Sequence, residues 1–287
     1  MQTTTLKLKG FFLGLLTLFL FNSLQAQVFV NEYSAANWQQ FVDNYGKAED
    51  WIELYNSGAA NVNIGGWGLT DDETKLQKWQ FPTGTTIPAG GYLLVWCSKR
   101  NEVSGGSYHT NFSLTQTKGS DKIVLSQPGG AIVDAIEVDK TQVHQSWSRH
   151  TDGATSWSIC GEPTPGDSNN GSAQYASFAA RPVMDLVAGF YTGDQLVSIS
   201  SPDPNVQIHY TINGNEPTMN SPVFSAPISL NKTTVVKARA FSSDPAVLPS
   251  LIEFNTYFIN ESFSLVVMSV AADDLLNLAN GNKDLKP

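Results

Sequence analysis

Residues 48–58 read AEDWIELYNSG, with three carboxylates, Glu49, Asp50 and Glu53, set among two aromatic and two aliphatic side chains. The question is whether these acids are acid/base machinery or the polar trim of a strand. In a β-strand, successive side chains point to opposite faces. That puts Trp51, Glu53 and Tyr55 on one face and Asp50, Ile52, Leu54 and Asn56 on the other. A pair of glycoside-cleaving carboxyls must converge across one bond, about 5–9.5 Å apart. Asp50 and Glu53 diverge instead. The stretch therefore reads as a sandwich strand, with Glu53 either hydrogen-bonded to backbone or exposed between the two rings. Glu32, in VNEY, is a more distant candidate partner.

The flanking sequence repeats this texture. VFVNEY, WGLTD, YLLVWCS, KIVLSQ, AIVDAIEV, SWSRH and SWSIC are short apolar or alternating runs. Between them lie NSGAAN, DDETK, PTGTTIPAGG, QPGG and TDGAT, which are turn composition. Such spacing predicts an all-β sandwich or barrel. AANWQQFVDNYG is the exception, a single helical turn or an irregular loop. Residues 161–182, GEPTPGDSNNGSAQYASFAARP, have linker composition, with a boundary near residue 170. Beyond it QLVSISS, QIHYTI, TVVKARAF and IEFNTYFI alternate again, and Asn213-Gly214 supplies the positive φ angles of a tight hairpin. FSLVVMSV, near the end, is a continuous apolar strand of the kind buried on both faces. ADDLLNLAN after it reads as one or two helical turns.

Residues 1–26 read as a cleaved secretory signal: Lys7 and Lys9, then FFLGLLTLFLF, then Ala26 at the cut. The apolar run is short of the roughly 20 residues of a membrane span. No stable span is expected after cleavage. Without the signal's two lysines, 15 basic residues stand against 26 acidic ones, a net charge of −11. That surface repels phosphate backbones and argues against nucleic acid as a partner. The two cysteines, Cys97 and Cys160, sit in a context that permits a disulfide, and two buried free thiols are the other reading.

Chemistry-bearing motifs are scarce. The four histidines, His109, His144, His150 and His209, show no metal-ligand spacing. TDDETK (70–75) concentrates acids but lacks the calcium-loop pattern and reads as a solvated turn. No nucleophile elbow, P-loop or dinucleotide fingerprint occurs. No catalytic residue, metal site or cofactor is expected. One binding surface is a candidate: Trp51, Tyr55, Trp67 and Trp79 as a sugar-stacking platform, all seven tryptophans lying at or before Trp157.

FVNEY (29–33), DWIELYN (50–56), VNIGGWGLTDD (62–72), KWQFPTGTTIPAGGYLLVWC (78–97), HTNFSL (109–114) and PTPGDSN (163–169) together resemble the lamin-tail domain family. That resemblance implies an immunoglobulin-like sandwich over 27–169, a binding or structural module. HYTINGNEPT (209–218), SPVFSAPISL (221–230), TTVVKARAF (233–241) and TYF (256–258) look like the small sandwich appended to chitobiases and β-hexosaminidases. It would span 183–260, after a linker at 170–182, as an accessory module. FINESFSLVVMSVAADDLL is similar to the opening of the CotH spore-coat-kinase domain, with Leu265-Val266 where that family commonly has Leu-Pro. Residues 261–287 would then be the truncated start of a further domain.

The expectation is two immunoglobulin-like β-sandwiches in tandem, with a signal helix before them and an incomplete strand–helix tail after. Three functions compete: an exported non-catalytic module protein of the bacterial cell envelope, with a surface protein or glycan as partner; the amino-terminal part of a larger CotH-type kinase-like protein; and a carbohydrate-binding module.

Overall fold

The computed structural model describes residues 27–38, 40–116, 121–264 and 267, so the signal and the strand–helix tail lie outside the described residues. The first unit holds β1 (Val28–Ser34), β2 (Asp50–Asn56), β3 (Val62–Asn63), β4 (Gly68–Thr70), β5 (Trp79–Gln80), β6 (Thr86–Ile87) and β7 (Tyr92–Cys97). It continues through β8 (Glu102–Ser104), β9 (Ser107–His109), β10 (Lys122–Ser126), β11 (Ile132–Glu137), β12 (Ser146–Arg149), β13 (Trp157–Cys160) and β14 (Gln174–Tyr175). Eight of these form one sheet in the order β14-β13-β12-β1-β2-β7-β9-β8, and β11-β10-β4-β5 form a second.

The core between the sheets follows from the alternation. Ile52 and Leu54 of β2 pack there with Val28, Val30, Leu69, Phe81, Val95, Ile123 and Leu125. Full burial of such a side chain stabilises by about 1.5–3 kcal/mol. The opposite face of β2 is covered too, since Trp51 and Glu53 are fully buried. AANWQQFVDNYG forms part of that cover as an irregular loop rather than a helix. Asn37 ties it down, its Nδ2 donating to the carbonyls of Phe41 and Glu49, and Phe41 packs edge-on against Trp51.

The second unit holds β15 (Ser177–Phe178), β16 (Val183–Met184), β17 (Gly189–Tyr191), β18 (Gln195–Val197), β19 (Ile199–Ser200), β20 (Val206–Thr211), β21 (Ile228–Leu230), β22 (Thr234–Ser242), β23 (Val247–Leu248) and β24 (Glu253–Ile259). Its main sheet runs β17-β24-β22-β20, over a core of Val197, Ile199, Leu230, Val236, Ala238, Tyr257 and Ile259. Asn213-Gly214 does not close a tight hairpin. β20 pairs with β22, and of the two residues only Gly214 has positive φ. Asn213 instead accepts from the Asn215 amide in a local turn, inside a wide loop returning at Pro222–Phe224.

The stretch read as a linker is paired on both sides. β14 adds to the first unit's sheet through β13, and β15 pairs in parallel with β23 of the second.

Cys97 and Cys160 are both buried and not bonded to each other, so the disulfide considered from the sequence is not made. The reason is strand order. Four strand steps separate β7 from β13, roughly 19 Å at about 4.8 Å each, against the ~7 Å limit between bridged Cα atoms.

Candidate functional site

The strongest concentration of buried polar groups lies on the outer face of β1 and β2. The pairing of these strands slips once. Val30 faces Leu54, but Glu32 faces Glu53, so Asn31 is the extra residue of a β-bulge. A bulge re-aims the side chains that follow it. Val30 and Tyr33 both reach the core cluster although three residues apart, a spacing that unbroken alternation would send to opposite faces, while Asn31 and Glu32 meet the loops outside. Glu53 thus acquires Glu32 as its cross-strand neighbour, a juxtaposition the sequence only suggested.

The closing segment PTPGDSN covers the pair. Thr164 donates its amide to Glu32, at 3.1 Å from Oε1 and 3.2 Å from Oε2, and Ser146 Oγ donates to Oε1 at 2.5 Å. The Gly166 amide donates to Glu53 Oε2 at 2.6 Å, and Asn31 Nδ2 donates to Glu53 Oε1 at 3.0 Å. Asn169, also buried, donates Nδ2 to the carbonyls of Asn31 and Arg149. Asp152 accepts from Asn31, Tyr92, Ser168 and the Asn169 amide.

Electrostatics follow from this enclosure. Burial pushes Glu32 up to about 7, against hydrogen bonds from Ser146 and Thr164. Burial pushes Glu53 to about 8, with the neighbouring Glu32 charge adding to it. Asp152 goes the other way. Burial raises it, but the hydrogen bonds from Ser168, Asn31, Tyr92 and Asn169 outweigh that and hold it below the usual carboxylate range. The Thr164 hydroxyl has one hydrogen and two close oxygens, Glu32 Oε2 at 3.0 Å and Asn169 Oδ1 at 2.8 Å. When Thr164 donates to Asn169, the proton between Thr164 and Glu32 must come from Glu32. That is the neutral state burial favours.

Raised carboxyls often mark catalysis. Here both glutamates have zero exposed surface, and every oxygen faces a donor from the fold itself. A substrate could reach them only by displacing PTPGDSN. The cluster is a lock that fastens the last part of the first sandwich over its first two strands. Arg149 extends it, donating Nε to the Val30 carbonyl at 2.7 Å, Nη1 to the Ala154 carbonyl, and Nη2 to Asp134 at 2.7 Å.

A second group resembles a catalytic triad in composition only. Ser98 Oγ lies 2.9 Å from His109 Nδ1, and Asp43 Oδ2 lies 4.0 Å from that same nitrogen, while Nε2 meets Asn44 at 2.7 Å. A triad needs acid and nucleophile on opposite ring nitrogens. His109 is also fully buried, which makes it a structural histidine joining β9 to the 35–47 loop. The acids of TDDETK diverge, Asp71 pairing with Lys78, Asp72 with Lys75 and Glu73 with Lys122.

The four aromatic residues do not assemble into a platform. Trp51 is fully buried, and Trp79 is buried against Phe81 on the other sheet. Trp67 is half-buried against the core, and Tyr55 stacks on Tyr92 at 5.0 Å. With two rings sealed in and the others on different elements, no common stacking plane exists. Cys160 donates its thiol to the Glu162 carbonyl at 3.0 Å, and burial raises its pKa, the state of an inert structural thiol.

Two β-sandwich modules, the first with its polar cluster turned inward, define a modular all-β architecture. Residues 22–140 match the family model of the Lamin Tail Domain, and residues 186–247 match that of the Chitobiase/beta-hexosaminidase C-terminal domain. The first sandwich continues past the matched stretch, since β12 pairs with β1 and β13 with β12. No curated protein matches the chain.

Proposed function

We propose that this chain is an exported, non-catalytic protein of the cell envelope or exterior, in which two β-sandwich modules bind or present a surface protein or glycan. The observation that carries the reading is the sealing of Glu32 and Glu53: the acid pair best suited to chemistry is spent on fastening the first module. The charged start and apolar core of residues 1–26, and the acidic balance of the chain, support export and weigh against nucleic acid as partner. Among the described residues no helix is long and apolar enough to cross a membrane. The domain limits we assign are 27–169 and 183–260, with 170–182 as a tie whose β14 and β15 add to the edges of the first and second unit.

Expression with residues 1–26 intact, followed by mass analysis of the exported product, tests the first half of the proposal. A product beginning at Gln27 is expected; full-length protein retained in the cell overturns export. The purified chain is expected to turn over no glycan or nucleotide, and clear turnover of either overturns the non-catalytic reading. The alternative, that these modules deliver a CotH-type kinase-like domain, rests on the apolar run FSLVVMSV (263–270). It predicts that the native reading frame continues past Pro287 into a further domain.

A further inference from the structure

Where the two modules meet, the surface folds into a hollow of about 640 Å³, continuous in its lining with a smaller one of about 200 Å³. The larger lies within the roughly 300–1,000 Å³ span of small-molecule sites, which favour domain interfaces. Lys140 and Val143 come from the loop between β11 and β12 of the first module. Arg181 comes from the tie, and Arg239, Leu251 and Ile252 from the second. The site therefore exists only in the tandem.

Its charge runs against that of the chain. Three basic side chains line the larger hollow, against one acid, Glu216, whose charge acts on Arg239, in a protein of net charge −9. Arg239 is anchored from behind. Its Nε donates to the Ser250 carbonyl at 2.9 Å and its Nη2 to Gln142 Oε1 at 2.7 Å. Arg181 has only a loose pairing, 3.7 Å from Glu253, and Lys140 makes no ion pair with any described residue. A guanidinium held in place beside two under-used cations suits a planar carboxylate, which accepts two parallel hydrogen bonds from such a fork. The rest of the wall is mixed, with Gln116, Thr141, Gln142 and His144 beside an aliphatic patch. Val143, Leu251 and Ile252 line the larger hollow, and the smaller one adds Phe178 and Ala179. The lining has few aromatic faces for a sugar ring and much surface for an alkyl chain.

The geometry points to a binding site, at the junction of the two modules, for an aliphatic carboxylate: an anionic head on Arg239, Arg181 and Lys140, and a branched or linear hydrocarbon body on Val143, Leu251 and Ile252. Such chemistry has two sources, the carboxyl end of a peptide with a leucine-like last residue, or a short fatty acid. The inference rests on the binding reading above and names the ligand class for it.

Isothermal titration of the full chain with three probes tests it: a leucine-ended tetrapeptide as free acid, the same peptide as its carboxamide, and octanoate. At least one free acid is expected to bind, and the carboxamide about tenfold or more weaker than the free peptide if the peptide is the ligand. Binding of octanoate alone assigns the site to a fatty acid, binding of the peptide alone to a chain end. Arg239→Met is expected to weaken the bound acid about tenfold. Since Arg239 also braces the junction, the exposed Lys140→Gln serves as the second variant, with a loss of about threefold. Failure of both acids to bind, equal binding of acid and carboxamide, or unchanged affinity in Lys140→Gln overturns the site. That result leaves the non-catalytic reading standing, because that reading is judged by turnover and not by this ligand.

Discussion

Glu53 illustrates how one residue type can carry opposite meanings. In water a glutamate is an acid titrating near 4.5, while here burial lifts it to about 8 and its neighbour Glu32 to about 7. Between roughly pH 4.5 and 8 the folded chain therefore holds more protons than the unfolded one, and stability falls as pH rises through that window. The stabilisation from the neutral acids is complete below pH 4.5 and is lost as pH passes 7 to 8. Glu53→Gln removes one of the two titrations, but it places an amide nitrogen against one of two donors, the Gly166 amide and Asn31 Nδ2. The variant should be less stable than wild type at pH 5, by about 1–3 kcal/mol for the mismatched donor. The gap should narrow toward pH 9, where wild type must bury a charge. Thermal denaturation of both proteins from pH 5 to 9 checks this; a constant gap across the range contradicts it.

At the scale of elements, the slip between β1 and β2 and the closeness of β4 to its surroundings do most to set the first sandwich. Gly68 opens β4, and a Cβ there would sit 2.1 Å from the Leu76 carbonyl and 2.8 Å from Ser126 Oγ. Real carbon–oxygen contacts do not come that close, so backbone must move. Gly68→Ala should destabilise the first module by about 1–3 kcal/mol, the usual cost of overpacking, with the second module's unfolding unchanged. Denaturant titration followed by tryptophan fluorescence reports on the first module alone, because every tryptophan lies at or before Trp157. Gly66, two residues earlier, has φ +79, and a Cβ there would meet only Pro128 Cγ at an ordinary 3.6 Å. The two glycines of GGWG beyond Gly65 thus serve different needs, one conformational and one of close approach.

In the whole molecule the two modules are tied at one junction by side-chain hydrogen bonds. Gln142 spans it with both ends of one amide: Nε2 donates to the Pro249 carbonyl at 2.9 Å, and Oε1 accepts from Arg239 at 2.7 Å. Gln142→Ala should cost about 1–3 kcal/mol locally, since one of these bonds is charge-assisted. Amide exchange around residues 247–252 should then quicken about tenfold, with protection in β2 and β22 unchanged. Exchange followed by mass spectrometry checks it, and acceleration spread evenly through both cores contradicts a local tie.

The β class, both sandwiches and the two faces of DWIELYN were legible from the residues alone, because alternation and turn composition are local properties that survive without neighbours. Ile52 and Leu54 went to the core as their period required. What lies against each face depends on packing between distant segments. A one-residue bulge at Asn31 changes the phase of β1 without any residue type that announces it, and so it brought Glu32 to Glu53. Strand order placed Cys97 and Cys160 four strands apart, and that order depends on crossovers which spacing along the chain does not encode. The same holds for the aromatic residues and the cleft: Trp51 is buried by a loop, and Lys140, Arg181 and Arg239 line one hollow because two modules pack together. Burial and juxtaposition are set by long-range packing, which local sequence pattern cannot specify.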